Sequence, residues 1–245
     1  MKFLGVIPAR YASTRLEGKP LISIEGRPMI EWVYKRAAAS SLDKVVVATD
    51  DLRIFDAVIS FGGEAVMTSP DHPNGTSRIA EVAIEYQDYE VIINVQGDEP
   101  LIEGAMIDAL IEPFRENHDL VMATLKHKID TYEEVENPNN VKVITDNKDY
   151  AIYFSRSPIP YPRTLDMKNY YKHVGIYGYK RDFVIKYSKM RQTSLEISES
   201  LEQLRVLENG YRIKVLETPF KVIGVDTAKD LELVKSIIRE NKISI

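Results

Sequence analysis

The sequence predicts an α/β fold on a mainly parallel, doubly wound sheet. Three observations carry this. Short runs of β-branched and apolar residues alternate with helical segments over the first hundred residues. Each run is closed by a loop rich in Gly, Pro, Asp or Arg, and alternation of this kind builds parallel sheets whose ligands sit beyond the strands' C-terminal ends. The chain has 245 residues and is 44% hydrophobic, enough for one large domain or a domain with a smaller insert.

Phe3 to Ile7 is an apolar run ended by Pro8 and reads as a buried strand; residues 9–20 follow as a polar, basic loop. Pro28 opens a helix through Met29-Ile30-Glu31-Trp32-Val33-Tyr34, with proline expected in its first turn. Lys44 to Ala48 is a second strand. Asp51 to Phe61 is a helix stopped by Gly62-Gly63. Glu64 to Met67 is a short strand, residues 69–76 a turn-rich loop, and Ser77 the expected cap of a helix through Tyr86. Val91 to Val95 is the most apolar strand and runs into Gln96-Gly97-Asp98-Glu99-Pro100.

The second half changes character. Val141 to Thr145 and Tyr150 to Phe154 read as strands around a turn at Asn147-Lys148. Residues 156–172 are an irregular connection rich in proline and tyrosine. Val174 to Tyr179 is a strand, Ser198 to Leu207 a helix, and Arg212 to Leu216 and Lys221 to Ile223 strands. Gly224-Val225-Asp226-Thr227 leads into a last helix through about Arg239. Three regions are expected: 1–130 as a nucleotide-binding core, 131–220 as an insert, and 221–245 as a strand and helix returning to the core.

Composition narrows the function. A net charge of −5 gives no global field for nucleic acid. Without cysteine there is no disulfide, thiolate metal site or thiol nucleophile. The opening Met1 to Pro8 is too short for a signal peptide, and no apolar run reaches membrane-spanning length. A cytoplasmic protein is expected.

Three clusters carry the chemistry. Arg10, Arg15 and Lys19 set three cations among small residues in the loop Pro8 to Pro20. Such a loop is either a phosphate cradle or a solvated basic turn. It is not a P-loop, because Pro20 follows Gly18-Lys19 and the upstream glycine is missing. Asp98 follows the most apolar strand, where a carboxylate can hold Mg²⁺ or cap the next turn. Asp226 repeats the pattern after Lys221-Val222-Ile223 and can hold the same ion or cap the last helix. Two such acids with a basic loop point to phosphoryl chemistry.

The chain resembles the cytidylyltransferase family that makes CMP-3-deoxy-manno-octulosonate. The resemblance rests on Pro8-Ala9-Arg10 through Lys19-Pro20-Leu21, on Val95 to Pro100, and on Tyr153-Phe154-Ser155-Arg156-Ser157-Pro158-Ile159-Pro160. Lys172-His173-Val174-Gly175-Ile176-Tyr177-Gly178-Tyr179, Leu201-Glu202-Gln203-Leu204-Arg205 and Gly224 to Thr227 complete it. The motifs run in family order over essentially the whole chain. The first two are shared loosely with other nucleotidyltransferases, whereas the later ones belong to this family.

The resemblance implies a Rossmann-like nucleotidyltransferase fold whose smaller insert serves sugar binding and dimerisation. It implies CTP, an acidic eight-carbon sugar, Mg²⁺, a homodimer, and a place in lipopolysaccharide biosynthesis. By the same resemblance, Ala9, Arg10, Arg15, Lys19, Gly75, Thr76 and Arg78 hold the nucleotide. Asp98 and Asp226 hold the metal, with Arg15 and Lys19 beside them as catalytic groups. Gln96, Arg156, His173, Tyr177, Glu202 and Gln203 line the sugar site. Read singly, Arg156 suits a surface ion pair, His173 and Tyr177 a core, and Glu202 and Gln203 a solvated helix face. Glu17 stands where the family commonly has proline, and Ser77 where it commonly has an acidic residue. The nearest rivals are a CMP-sialic acid synthetase, another sugar nucleotidyltransferase, and a catalytically silent nucleotide-binding regulator.

Overall fold

β1 (Phe3–Ala9) is almost wholly buried because it has a parallel partner on either side. A strand covered on both faces reads as continuous hydrophobic sequence, which is how it shows in the chain. The computed structural model describes residues 1–12, 16–163 and 170–245; Arg15 and part of the 156–172 connection lie outside the described residues.

A two-residue ladder of β2 (Ser23–Ile24) with β3 (Arg27–Pro28) leads into α1 (Met29–Ala38). The chain then runs through β4 (Lys44–Thr49), α2 (Leu52–Ser60), β5 (Ala65–Met67), α3 (Gly75–Glu85), β6 (Val91–Asn94) and α4 (Gly104–Glu116). After β7 (Met122–Lys128) and α5 (Tyr132–Glu136), β8 (Lys142–Thr145) and β9 (Ala151–Ser155) form a hairpin. Next come β10 (Tyr171–Lys180), α6 (Arg181–Tyr187), α7 (Ser194–Glu199), α8 (Gln203–Glu208), β11 (Lys214–Glu217) and α9 (Ala228–Glu240).

The main sheet has the order β11-β7-β10-β6-β1-β4-β5, with β8 and β9 attached through β10. β6, β1, β4 and β5 are parallel, as are β11 and β7. β10 runs antiparallel between these two groups. Alternate β1 residues feed two cores. Phe3 and Ile7 pack with Ile30 and Val33 of α1, Ile54 of α2 and Leu110 of α4. Leu4 and Val6 pack on the other face with Ile79 and Val82 of α3 and Val184 of α6. Helices on both faces make the sheet doubly wound, as expected. α9 returns to α1, where Val234 and Ile238 pack with Met29 and Trp32.

Several local expectations are corrected. Pro28 is extended and caps α1 from outside its first turn. Asn74, not Ser77, caps α3: its side chain accepts from the Ser77 N–H at 2.9 Å. The helix expected over Ser198 to Leu207 is two helices. Ser200 sits in the left-handed region at φ +51°, which a continuous helix does not tolerate. Lys221 to Ile223 is not a strand. Pro219 follows β11 without a donor, and β10 already occupies the place beside β6. The segment instead docks on the β6 loop, where the Val225 N–H donates to the Asp98 carbonyl at 2.9 Å.

Candidate active site

The parallel strands β1, β4 and β6 end at one edge, and their loops meet there. β1 runs into Arg10, β4 into Asp50, and β6 through Gln96 and Gly97 to Asp98. Gly97 is required by packing, since a Cβ there would lie 2.8 Å from the Pro8 carbonyl oxygen. The loop after β1 closes through Gly18, whose N–H donates to the Tyr11 carbonyl at 3.0 Å and whose φ of +64° suits glycine. A short 3₁₀ turn over Lys19–Leu21 then aims Lys19 back at the edge.

Lys19 is the centre of the site. Its Nζ donates to Asp98 Oδ2 at 2.8 Å and to Asp226 Oδ1 at 3.1 Å. Residues from three distant parts of the chain therefore converge on one point. Burial works against the ammonium, but the two carboxylates outweigh it and hold its pKa above the ordinary value. The carboxylates offer hard oxygen donors facing a common cation. Among the described residues no third Asp, Glu or His joins them as a ready-made metal cage. This donor set suits Mg²⁺, which keeps waters and phosphate oxygens in its shell.

The other described residues expected to hold the nucleotide lie at the end of β1 and on α3. Ala9 ends β1, and the guanidinium of Arg10 donates to the carbonyls of His72 and Asn74. Burial, then the nearby Arg78, lowers the Arg10 pKa against the pull of Asp50. Arg78 is fully buried, donating to Thr68 Oγ1 and, at 2.6 Å, to Asp50 Oδ2. Gly75 begins α3 against Pro8, and Thr76 Oγ1 donates to Glu202 Oε2 at 2.9 Å. That bond ties the start of α3 to the corner between α7 and α8.

The residues expected at the sugar divide. Gln96 Nε2 donates to the Gly175 carbonyl at 2.9 Å, linking β6 to the irregularity in β10. His173 is buried, with Nε2 3.0 Å from Thr124 Oγ1 and its ring edge-on to Phe154 and tilted against Tyr177. Burial, reinforced by Lys172, pushes its pKa down to about 3, so the ring is neutral at physiological pH. Burial holds the Tyr177 phenol well above its ordinary range. Gln203 is buried at the start of α8. Arg156 is spent on backbone carbonyls: Glu199 at 2.7 Å, Pro138 at 3.1 Å and Ser200 at 3.4 Å. It braces the corner that carries Glu202.

A cleft of about 280 Å³ opens beside Asp226, lined by Glu99, His127, Asn139, Lys172, His173 and the Val222–Gly224 segment, among others. Burial, then Asp98, drives the Glu99 carboxyl up to about 8 against the opposing charge of Lys172.

A cytidylyltransferase family model matches residues 4–214. A 3-deoxy-manno-octulosonate cytidylyltransferase of Fusobacterium nucleatum subsp. nucleatum is 68% identical over 245 residues, covering 100% of each chain. The protein of that name from Geotalea uraniireducens is 55% identical and covers 96% of this chain and 98% of its own. This chain belongs to the 3-deoxy-manno-octulosonate cytidylyltransferase family. A solved structure of CMP:2-keto-3-deoxy-manno-octonic acid synthetase complexed with CTP superposes with a TM-score of 0.95. It is 44% identical and covers 98% of this chain and 100% of its own. The fold is accordingly the family's Rossmann-like nucleotidyltransferase fold, and the protein is a nucleotidyltransferase.

Of the two departures from the family pattern, Ser77 has a local account. Glu17 is exposed beside Lys19's loop. Ser77 donates through Oγ to the Asn74 carbonyl at 3.0 Å, while Arg78 draws its counter-charge from Asp50. Sequence reasoning missed Asp50, Thr68 and Asn74. Asp50 carried a usable signal, since it directly precedes the helix that the sequence did predict from Asp51, and Asn74 lies three residues before the expected cap Ser77.

Proposed function

We propose that this chain transfers CMP from CTP to the anomeric hydroxyl of 3-deoxy-manno-octulosonate, or its 8-amino analogue, releasing pyrophosphate for lipopolysaccharide biosynthesis. The observation that carries it is the contact of Lys19 with both Asp98 and Asp226 at the C-terminal edge of the sheet. The CTP complex of the solved relative supports CTP as the donor.

The anomeric oxygen attacks the α-phosphorus in line. The new P–O bond forms as the bond to the β-phosphate bridge breaks, pyrophosphate departs with that electron pair, and the hydroxyl proton passes to solvent. Lys19 and Arg15 offset charge on the leaving group, and Ala9, Arg10, Gly75, Thr76 and Arg78 orient the nucleotide. Gln96, Arg156, His173, Tyr177, Glu202 and Gln203 shape the sugar side, so the work is positioning and charge neutralisation. Mg²⁺ held by Asp98 and Asp226 would supply Lewis acidity toward phosphate and hydroxyl oxygens. A neutral His173 hydrogen-bonded to Thr124 is not poised as a base. Residues 131–220 would serve sugar binding and homodimer formation around the 1–130 core and the returning 221–245 segment. Among the described residues no helix is long and apolar enough to cross a membrane.

The test is pyrophosphate release on mixing the chain with CTP, Mg²⁺ and each sugar, with the two sugars then competed in one reaction. Release that needs both CTP and the sugar acid is expected. Release with neither sugar would overturn the reading.

A further inference from the structure

The cleft beside Asp226 holds two polar side chains that the fold leaves without partners. Glu99 Oε2 is enclosed and receives no hydrogen bond. Lys172 lines the same cleft, opposite His127 in the β10–β7 register, and its ammonium makes no hydrogen bond or ion pair among the described residues. Enclosing a carboxyl oxygen with no hydrogen-bond partner costs stability, and a partly buried ammonium without an acceptor adds to that cost. By contrast, Lys142, wholly buried on the neighbouring β8, gives its ammonium to the carbonyls of Asn137, Asn140 and Arg156. The fold can therefore satisfy an interior lysine, and at Lys172 it does not.

Arg156, the obvious cation for an acidic sugar, already serves three backbone carbonyls and does not line this cleft. Lys172 is the cleft's lysine, and Glu99 stands next in the chain to Asp98.

We propose that Glu99 and Lys172 are a specificity-determining pair for the acidic sugar. Lys172 meets the sugar's carboxylate, and the enclosed oxygen of Glu99 hydrogen-bonds a sugar hydroxyl, so that the ligand completes both groups. This rests on the sugar-acid reading above and adds two residues to it. A polyhydroxy acid has the matching chemistry, with one anionic end to pair with an ammonium and hydroxyls to satisfy a carboxyl oxygen.

The test is steady-state kinetics with CTP and 3-deoxy-manno-octulosonate on wild type, Glu99→Met, Glu99→Gln, Lys172→Met and Lys172→Arg, with thermal melts of each. Glu99→Met and Lys172→Met should each raise the sugar KM by about tenfold or more, with the CTP KM within about twofold of wild type. Glu99→Gln and Lys172→Arg should recover part of the loss. Glu99→Met should melt no lower than wild type, because the lost oxygen had no partner in the fold. A sugar KM within about twofold in either methionine variant, or a Glu99→Met chain that melts lower or fails to fold, would overturn the pair. Wild-type turnover with unaffected variants would sink this inference alone. Absent wild-type turnover would sink the parent reading and this one with it.

Discussion

Lys19 reaches both carboxylates of the site from one short turn, and its removal acts on stability and on chemistry together. Lys19→Met leaves Asp98 and Asp226 facing each other without the shared cation. Because all three groups are partly exposed, the stability loss should be only about 1 kcal/mol. Loss of one charge-assisted contact to phosphate should raise the CTP KM or lower kcat/KM for CTP by about tenfold or more. An unchanged rate at limiting CTP would contradict this. The pH sign is definite. The ammonium's pKa is raised on folding, so the Lys19 contribution is complete at neutral pH and is lost only as pH climbs beyond lysine's ordinary 10.5. His173 behaves oppositely. Its pKa falls from 6.5 to about 3, so the unfolded chain binds its proton first. Stability should be whole above pH 6.5 and fall by about 1.4 kcal/mol per pH unit below it, until about pH 3. Urea titrations of wild type and His173→Gln between these limits should differ in slope by about that amount. Equal slopes would refute a buried, neutral His173.

At the scale of elements, the β6 loop shows how tightly Asp98 is held. Gly97→Ala would drive a Cβ to 2.8 Å from the Pro8 carbonyl oxygen, between two adjacent parallel strands. Overpacking of this kind costs about 1–3 kcal/mol. It should also cut turnover by moving Asp98, with an unfolding curve and a kcat measured on the same sample as the check. A silent substitution would mean the loop is looser than its packing suggests. The strands around this loop were legible in the sequence because β1, β4 and β6 are buried on both faces and so are apolar throughout. α4 was not, because Pro113 lies inside it and breaks the helical reading. The Lys221–Ile223 segment looked like a strand for the same reason that β1 did, being short and apolar. Whether such a run enters the sheet depends on which neighbour is free to bond it, and that is a property of the sheet rather than of the run. The split between α7 and α8 likewise turns on one left-handed residue, Ser200, that no periodicity marks.

Across the whole molecule, the site is made by distance folded away. Lys19, Asp98 and Asp226 each follow a recognisable motif, so the candidate cluster was readable before any geometry. The support for Arg78 from Asp50, and the unpaired state of Glu99 and Lys172, emerge only when the loops of β4, β6 and β10 come together. The central claim is that Asp98 and Asp226 act as one metal-holding unit in cytidylyl transfer. It is tested most directly by a double-mutant cycle on kcat/KM at saturating Mg²⁺, using Asp98→Asn, Asp226→Asn and the double variant, with melts to confirm folding. Groups acting as a unit are non-additive, so each single should lose most activity and the double should be little worse than the worse single. Strictly additive losses, or full activity in Asp226→Asn, would contradict the account.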